Sequence, residues 1–563
     1  RSVTSAVTLG ALFASFNLSC SEASTSGPST VPSENVFPPM TGGPTPTGPG
    51  VSTVLPLPPP LACDAVAPNL PRRLNRAELN NLARDVFGTA SDPFLKLSND
   101  QNSKFAGSAL GTAGSFAELY EIAALEVAAE YITATKPSDK CGGAPSAACA
   151  VSILKPLAER MMRRPMDAEL ESKLTAITET ALGKQLSFDE GLTDSILALF
   201  LSPDTLYIDT RVTAMPGLQG LDGYSIAERL ALAIWNSVPD ELLMSAAQNG
   251  ELISEAGLKA QIDRMLADPQ KGSRFIELFA SKFLTLDALE ALITKAPPEY
   301  AAADWMALVT DMATESQLFL KDAFASNLPL NGLVTARHTF VNKRLADHYG
   351  LGPAYAAAGG TGDFVKVPLP ESEPRLGLTT QGFFMTRLSH VPLVFRGKEF
   401  RLQFMCETLP PPPADEATLA AIDLQLKNQE GKTEDELAAE RTMGGCAGCH
   451  ALMDPLGRAY NAFDSVGRVT TGPSDSVYLD KPLTNSVDAA NFLANTGDFG
   501  ACIVSHVLGP VTNRLVRNVL SKSDACLSEG VLTDVGMGEN PGFRDMVVGT
   551  LSSELFKTRM VGQ

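Results

Sequence analysis

The sequence predicts a mainly α-helical, multi-domain protein, preceded by a signal or lipoprotein segment and a disordered linker. Apolar residues recur at helical spacing behind capping residues through most of the chain, and the period-two alternation of strands is scarce. Aromatic residues make up only 7 % of an alanine-rich sequence, a composition that leans toward helix. A length of 563 residues with 44 % hydrophobic content suffices for about three to four domains and excludes wholesale disorder. Lysine and arginine total 45 against 64 aspartate and glutamate, a formal net charge of −19. With no basic stripe to offset it, that balance argues against nucleic acid as a partner.

The first segment, residues 1–20, reads as an address. Arg1 leads a short apolar run from Val3 to Phe16, followed by Asn17, Leu18, Ser19 and Cys20. A spanning helix needs about 20 apolar residues, so this shorter run reads as a secretory h-region. The chain opens on Arg1 and not on Met, so a charged n-region is expected upstream. Cys20 stands where a bacterial lipoprotein carries its acylated cysteine, although Asn17 replaces the usual leucine; the alternative is an ordinary secreted protein. Residues 21–68 are rich in Ser, Thr, Pro and Gly and include Pro58-Pro59-Pro60. Such a segment buries too little apolar surface to offset its ordering entropy and reads as a stiff tether. No later stretch is suited to cross a bilayer. Membrane attachment is therefore expected by lipid anchor only, on an exported protein of the periplasm or cell surface.

The helices follow in order. In an N-terminal module, 69–137, Asn75-x-x-Glu78 is a capping box ahead of Leu79, Leu82, Ala83 and Val86, with Gly88 as the stop. A second module, 141–212, carries helical runs over 148–163 and 166–182, separated at Arg163-Arg164-Pro165. In the central module, 213–352, Ser225-x-x-Glu228 is expected to open a helix with Ile226, Leu230 and Ile234 on one face, ended by Pro239. A short helix with Leu242, Leu243, Ala246 and Ala247 runs to Gly250, and Leu258, Ile262, Met265 and Leu266 mark another before Pro269. Residues 364–470 and 475–563 form two further modules. No repeat of fixed period is present.

Within 364–470, one motif carries chemistry: Cys446-Ala447-Gly448-Cys449-His450. C-x-x-C-H is the attachment sequence for c-type haem. Two thiols three positions apart reach the two vinyl groups on one porphyrin edge, and the histidine that follows becomes the proximal iron ligand. With 9 Cys and 5 His in 563 residues, chance alone supplies roughly 10⁻³ such motifs. Thr433-x-x-Glu436 caps a helix ahead of it, and Gly444-Gly445 break that helix. A zinc site would need a second C-x-x-C or an H-x-H, and neither exists here. A redox dithiol usually follows a strand in a βαβ unit; a plain disulfide is the remaining rival. The expected cofactor is one covalent haem c, in a C-terminal region of cytochrome-c-like character.

The motif continues as Ala451-Leu452-Met453-Asp454-Pro455-Leu456-Gly457, then Asn461-Ala462-Phe463-Asp464 and Val466-Gly467-Arg468. Upstream, in order, stand Arg72-Arg73-Leu74-Asn75-Arg76-Ala77-Glu78-Leu79-Asn80, Arg163-Arg164-Pro165, Ser225-Ile226-Ala227-Glu228-Arg229-Leu230 through Trp235, and Pro239-Asp240. Asn342-Lys343-Arg344-Leu345-Ala346-Asp347-His348-Tyr349-Gly350 then precedes Arg396-Gly397-Lys398 and the 410–413 proline run, and Phe543-Arg544-Asp545-Met546 closes the series. Over about residues 70–560 this pattern resembles the planctomycete-type cytochrome c family, a multi-module group shared with myxobacteria and mostly described as domains of unknown function. The resemblance implies five modules and a cell-surface or periplasmic setting, and supplies no substrate.

The sixth iron position decides what a haem can do: a second strong ligand gives electron transfer, an open site admits small molecules. Met453 lies too close to His450 to reach the opposite face. The distal candidates are His506, Met537 and His390, each of which is equally a core or loop residue. Arg396, Arg458 and Arg468 are candidate partners for haem propionates, since a guanidinium fork suits a carboxylate; surface ion pairs are the plain alternative. Asp454-Pro455 is expected to set a turn, and His338 and His348 to be structural. Setting aside Cys20, Cys446 and Cys449 leaves six of the nine cysteines, and an exported protein makes disulfides the expectation. Cys141 with Cys149, across a Gly-Gly-Ala-Pro-Ser turn, and Cys502 with Cys526 are the candidate pairs; Cys406 is a candidate for Cys63 or another cysteine.

Three functions stay open. The first is an exported mono-haem cytochrome that passes electrons to an unknown redox partner. The second is a haem-dependent oxidoreductase with an open distal site, or a redox subunit of one. The third is an anchored surface protein that binds a partner, with haem in a minor role.

Overall fold

The structure, a computed structural model, describes residues 72–97, 115–143, 145–208, 217–387, 393–407, 409, 432, 434–441, 447–472, 474–512, 530–533, 535–536 and 540–561. Cys20, Cys63, His390, Cys446, Cys526 and Met537 lie outside them, as do the segments 1–20 and 21–68 and the cap at Thr433. The described chain is mainly helical, with four two-stranded sheets. Its described residues divide into two compact units, one within 58–333 and 498–563 and one within 334–497. Among the described residues no helix is long and apolar enough to cross a membrane.

In the unit that begins at residue 58, the Arg76–Leu82 helix opens on the capping box. Asn75 Oδ1 accepts from the Glu78 N–H at 2.9 Å, and the Glu78 carboxylate accepts from the Asn75 N–H at 2.8 Å. Arg72 grips the same carboxylate with two bonds of 2.7 Å, both partners buried, so the helix start is an ion pair as well as a cap. One π-helical turn, Ala83–Phe87, ends at Gly88 in the left-handed region, where glycine lacks a Cβ to clash. Helix Phe116–Thr135 packs on Phe188–Leu201, which packs on Ala168–Gly183, which packs on Ala147–Met162. Phe87, Phe94, Tyr120, Tyr131 and Phe200 form a connected ring cluster. Buried Tyr120 donates to the Phe200 carbonyl at 2.8 Å, and burial raises its pKa well above the ordinary tyrosine value.

Arg163-Arg164 behaves as a clamp. Arg163 ends the Ala147–Met162 helix in the left-handed region, donates to the carbonyls of Met161, Asp204, Thr205 and Tyr207, and pairs with Glu228 at 2.8 Å. Arg164 reaches Asp222 and Ser225. Here the structure corrects an expectation. The helix expected to open at Ser225, Gly223–Leu230, is capped by Asp222, whose side chain accepts from the Ser225 N–H at 2.7 Å, so Ser225 lies inside the helix. A carboxylate already paired with Arg164 makes a charge-assisted cap that a hydroxyl cannot match.

The chain returns to this unit at its far end. Strand Gly217–Gly220 pairs antiparallel with Thr558–Val561, and Arg229 donates to the carbonyls of Phe556 and Thr558. Helix Phe543–Ser552 packs on Glu255–Leu266, and Phe543 joins Phe279 and Phe324 in an aromatic group.

The other unit holds strand His338–Val341, paired antiparallel with Val365–Pro368, and the Lys343–Tyr349 helix between them, capped by Asn342 and stopped at Gly350. Helices Leu393–Phe400, Glu434–Arg441 and Ala447–Arg458 follow, then a hairpin of Ser476–Tyr478 with Lys481–Leu483.

Candidate functional site

The site is built on the Ala447–Arg458 helix, which crosses Leu393–Phe400 at unusually short range. A Cβ on Gly397 would stand 1.8 Å from the Met453 carbonyl oxygen, and one on Gly457 would stand 1.8 Å from that of Leu393. Backbone meets backbone at this crossing, and only glycine fits on either side. Phe400 and Tyr460 pack beside it, ring centroids 5.6 Å apart.

Cys449 and His450 occupy the first turn of the Ala447–Arg458 helix. Cys449 carries a free thiol and is half-buried. His450 is 2 % exposed. One turn on, Asp454 Oδ1 lies 2.9 Å from His450 Nδ1, and Asp454 Oδ2 accepts from Arg441 Nε at 3.0 Å. Arg441, 1 % exposed, closes the Glu434–Arg441 helix. A carboxylate offers only acceptors, so Nδ1 is the ring's donor and any metal falls to Nε2. This donor set fits covalent haem: a free thiol, then a buried imidazole whose second nitrogen is already committed. Asp454, expected at a turn, instead lies inside the helix together with Pro455.

Two of the three candidate propionate partners, Arg396 and Arg468, bond to protein groups. Buried Arg396 donates to the carbonyls of Tyr460 at 2.9 Å, Phe463 at 2.8 Å and Asp464 at 3.1 Å. It thereby gathers the carbonyls that follow the Ala447–Arg458 helix, and burial pushes its pKa down to about 10. Arg468 pairs with Asp464 at 2.8 Å and is half-exposed. Asp464 also accepts the N–H groups of Val466 and Arg468, which folds residues 464–468 into a tight loop. Arg375 supports that loop from beneath: it donates to the Gly467 carbonyl at 2.8 Å and lies 3.7 Å over the Tyr349 ring. His348 Nε2 lies 2.8 Å from the Val466 carbonyl, the structural role expected of it.

Of the distal candidates, His506 is described and belongs to the unit that begins at residue 58, edge-on to Phe279 and Phe283 at 6.3 and 5.0 Å. Met453 is buried on the same helix as His450. A disulfide joins Cys141 to Cys149. Cys406 and Cys502 are each disulfide-bonded.

The sequence reading missed Arg441, Arg375 and the glycine pair. The spacing of Asp454 four residues after His450 was available as a signal, because i and i+4 share a helix face. Nothing local in the sequence points to Arg441.

Residues 221–351 match the family model PSD4, a protein of unknown function (DUF1592). Residues 375–472, which include Cys446, Cys449 and His450, match PSCyt3, a protein of unknown function (DUF1588). Both models are of planctomycete cytochrome c-type domains of unknown function, in keeping with the resemblance drawn from the motifs. No curated protein and no solved structure matches the chain.

Proposed function

We propose that this chain is an exported mono-haem c-type cytochrome that passes single electrons to a partner protein. Its haem is held through Cys446 and Cys449, with His450 Nε2 as the proximal ligand. The observation that carries this reading is the pairing of the half-buried Cys449 thiol with a buried His450 whose Nδ1 is held by Asp454 at 2.9 Å. When bound, haem c supplies a one-electron iron couple. The chain's own residues do the rest: Asp454 and Arg441 hold the ring, Arg396 fixes the segment that follows the helix, and the glycine crossing holds the helix against its neighbour. Arg396 acts through main-chain carbonyls; Arg468, the more exposed of the two, is the better candidate to face a propionate.

The test is a pyridine haemochrome spectrum of protein matured with a cytochrome c assembly system, beside a Cys446→Ala, Cys449→Ala control. We expect a c-type band at one haem per chain that vanishes in the control. Folded, exported protein without covalent haem would overturn the proposal. Carbon monoxide then separates the two redox readings: a haem that ignores it supports electron transfer, and ready binding supports a haem-dependent oxidoreductase with an open site.

A further inference from the structure

We infer that Asp454 is a positioning residue for the iron. Its carboxylate holds the proximal imidazole through Nδ1 and lowers the reduction potential of the site, and Arg441 holds that carboxylate in place. The inference rests on the haem reading above and goes beyond it, because C-x-x-C-H specifies a ligand and not what stands behind the ligand.

Three observations carry it. First, Asp454 Oδ1 is 2.9 Å from His450 Nδ1, with both groups in the interior of the unit. The bond is therefore largely shielded from water, and in a low-dielectric setting it is electrostatically stronger than it would be at the surface. Second, the geometry is local and stiff. His450 and Asp454 stand one turn apart on a single helix, so the ring is orientated by the same element that carries Cys449. Third, the carboxylate does not swing freely, because Arg441 Nε takes Oδ2 at 3.0 Å from another helix. Each partner in the row Arg441, Asp454, His450 restrains the next.

The chemistry follows from the donor. An imidazole that donates Nδ1–H to a carboxylate gains basicity at Nε2. A more basic ligand favours the more highly charged iron, so the oxidised state is stabilised and the potential falls. A neutral carbonyl or amide in the same place would do this less. Arg441 tempers the effect by drawing part of the carboxylate's charge to itself.

The experiment uses the full matured chain. Wild-type, Asp454→Asn and Asp454→Glu proteins are loaded with haem and checked by pyridine haemochrome and circular dichroism. Their midpoint potentials are measured by redox titration, and the His450 ring Nδ1–H resonance is followed by NMR with isotope-labelled histidine. For Asp454→Asn we expect the one-electron equilibrium to shift at least tenfold toward the reduced state, about 59 mV, with the Nδ1–H resonance moving upfield as its hydrogen bond weakens. The glutamate variant should restore both readouts toward wild type. The NMR readout matters because removal of any nearby negative charge raises the potential, whereas only loss of this bond moves the ring proton.

Covalent haem in all three proteins with an unmoved proton and an unmoved potential would overturn the role of Asp454 and leave the haem reading intact. A raised potential without a moved proton would overturn the bond and leave only a charge effect. Should the asparagine variant fail to load haem, a glutamate variant that loads it with wild-type readouts supports the inference; failure of both to fold makes Asp454 merely structural and overturns it. Absence of covalent haem from the wild type is a separate result, which removes the proposed function itself.

Discussion

His348 carries a chemical consequence of its place in the fold. Its Nε2 lies 2.8 Å from the Val466 carbonyl oxygen, an arrangement in which a ring N–H donates. Burial holds its pKa below the ordinary 6.5. The folded state thus binds this proton less readily than the unfolded chain, and between the two values the unfolded state carries more protons. Stability therefore rises with pH across that window, and is lost as pH falls from 6.5 toward the folded value. Thermal melts as a function of pH should show this acid limb, and a His348→Gln protein should show a flatter one; an identical slope in both would refute the assignment. At this scale the sequence was legible where a local bond is written contiguously, as at Asn75 and Glu78. It was half-legible at Arg396. A guanidinium fork seeks oxygens, and it found them, but as the carbonyls of Tyr460, Phe463 and Asp464. Sequence displays side chains; it does not display which carbonyls a turn will leave without partners.

Helix boundaries were the most legible elements, because caps and stops act over three or four residues. Asn75 and Gly88 behave as their types require. At Ser225 the expected cap gave way to Asp222, three residues upstream, which Arg164 also holds from 58 residues away in sequence. The glycine crossing could not be read at all, since two glycines 60 positions apart mean nothing until two helices meet. Its energetics are testable on the haem-free protein. Gly457→Ala places a methyl group 1.8 Å from the Leu393 carbonyl oxygen and should cost about 3 kcal/mol, the upper range for overpacking. Gly448→Ala, in the same helix with open space around its Cβ, should be stabilising by roughly 0.5–1 kcal/mol. Denaturant melts of the two variants check the contrast, and equal effects would mean that the crossing is looser than the structure has it.

The whole chain was legible as helical and multi-domain, and its modules were drawn in sequence order. What periodicity cannot register is a return: the described residues of 498–563 belong with those of 58–333, and those of 334–497 make a unit of their own. At this scale the proposed anchor has a direct test. Cys20→Ser should move the protein from the membrane fraction to the soluble periplasmic fraction or the medium, and should abolish labelling by a fatty-acid analogue; unchanged fractionation would leave an ordinary secreted protein. The pairing of Gly217–Gly220 with Thr558–Val561 also imposes an order of events in time. During synthesis, residues 334–497 have all emerged while the other unit still lacks its closing strand. The part of the protein that would receive the cofactor is therefore the first to become complete, and the rest of the chain is sealed only afterwards.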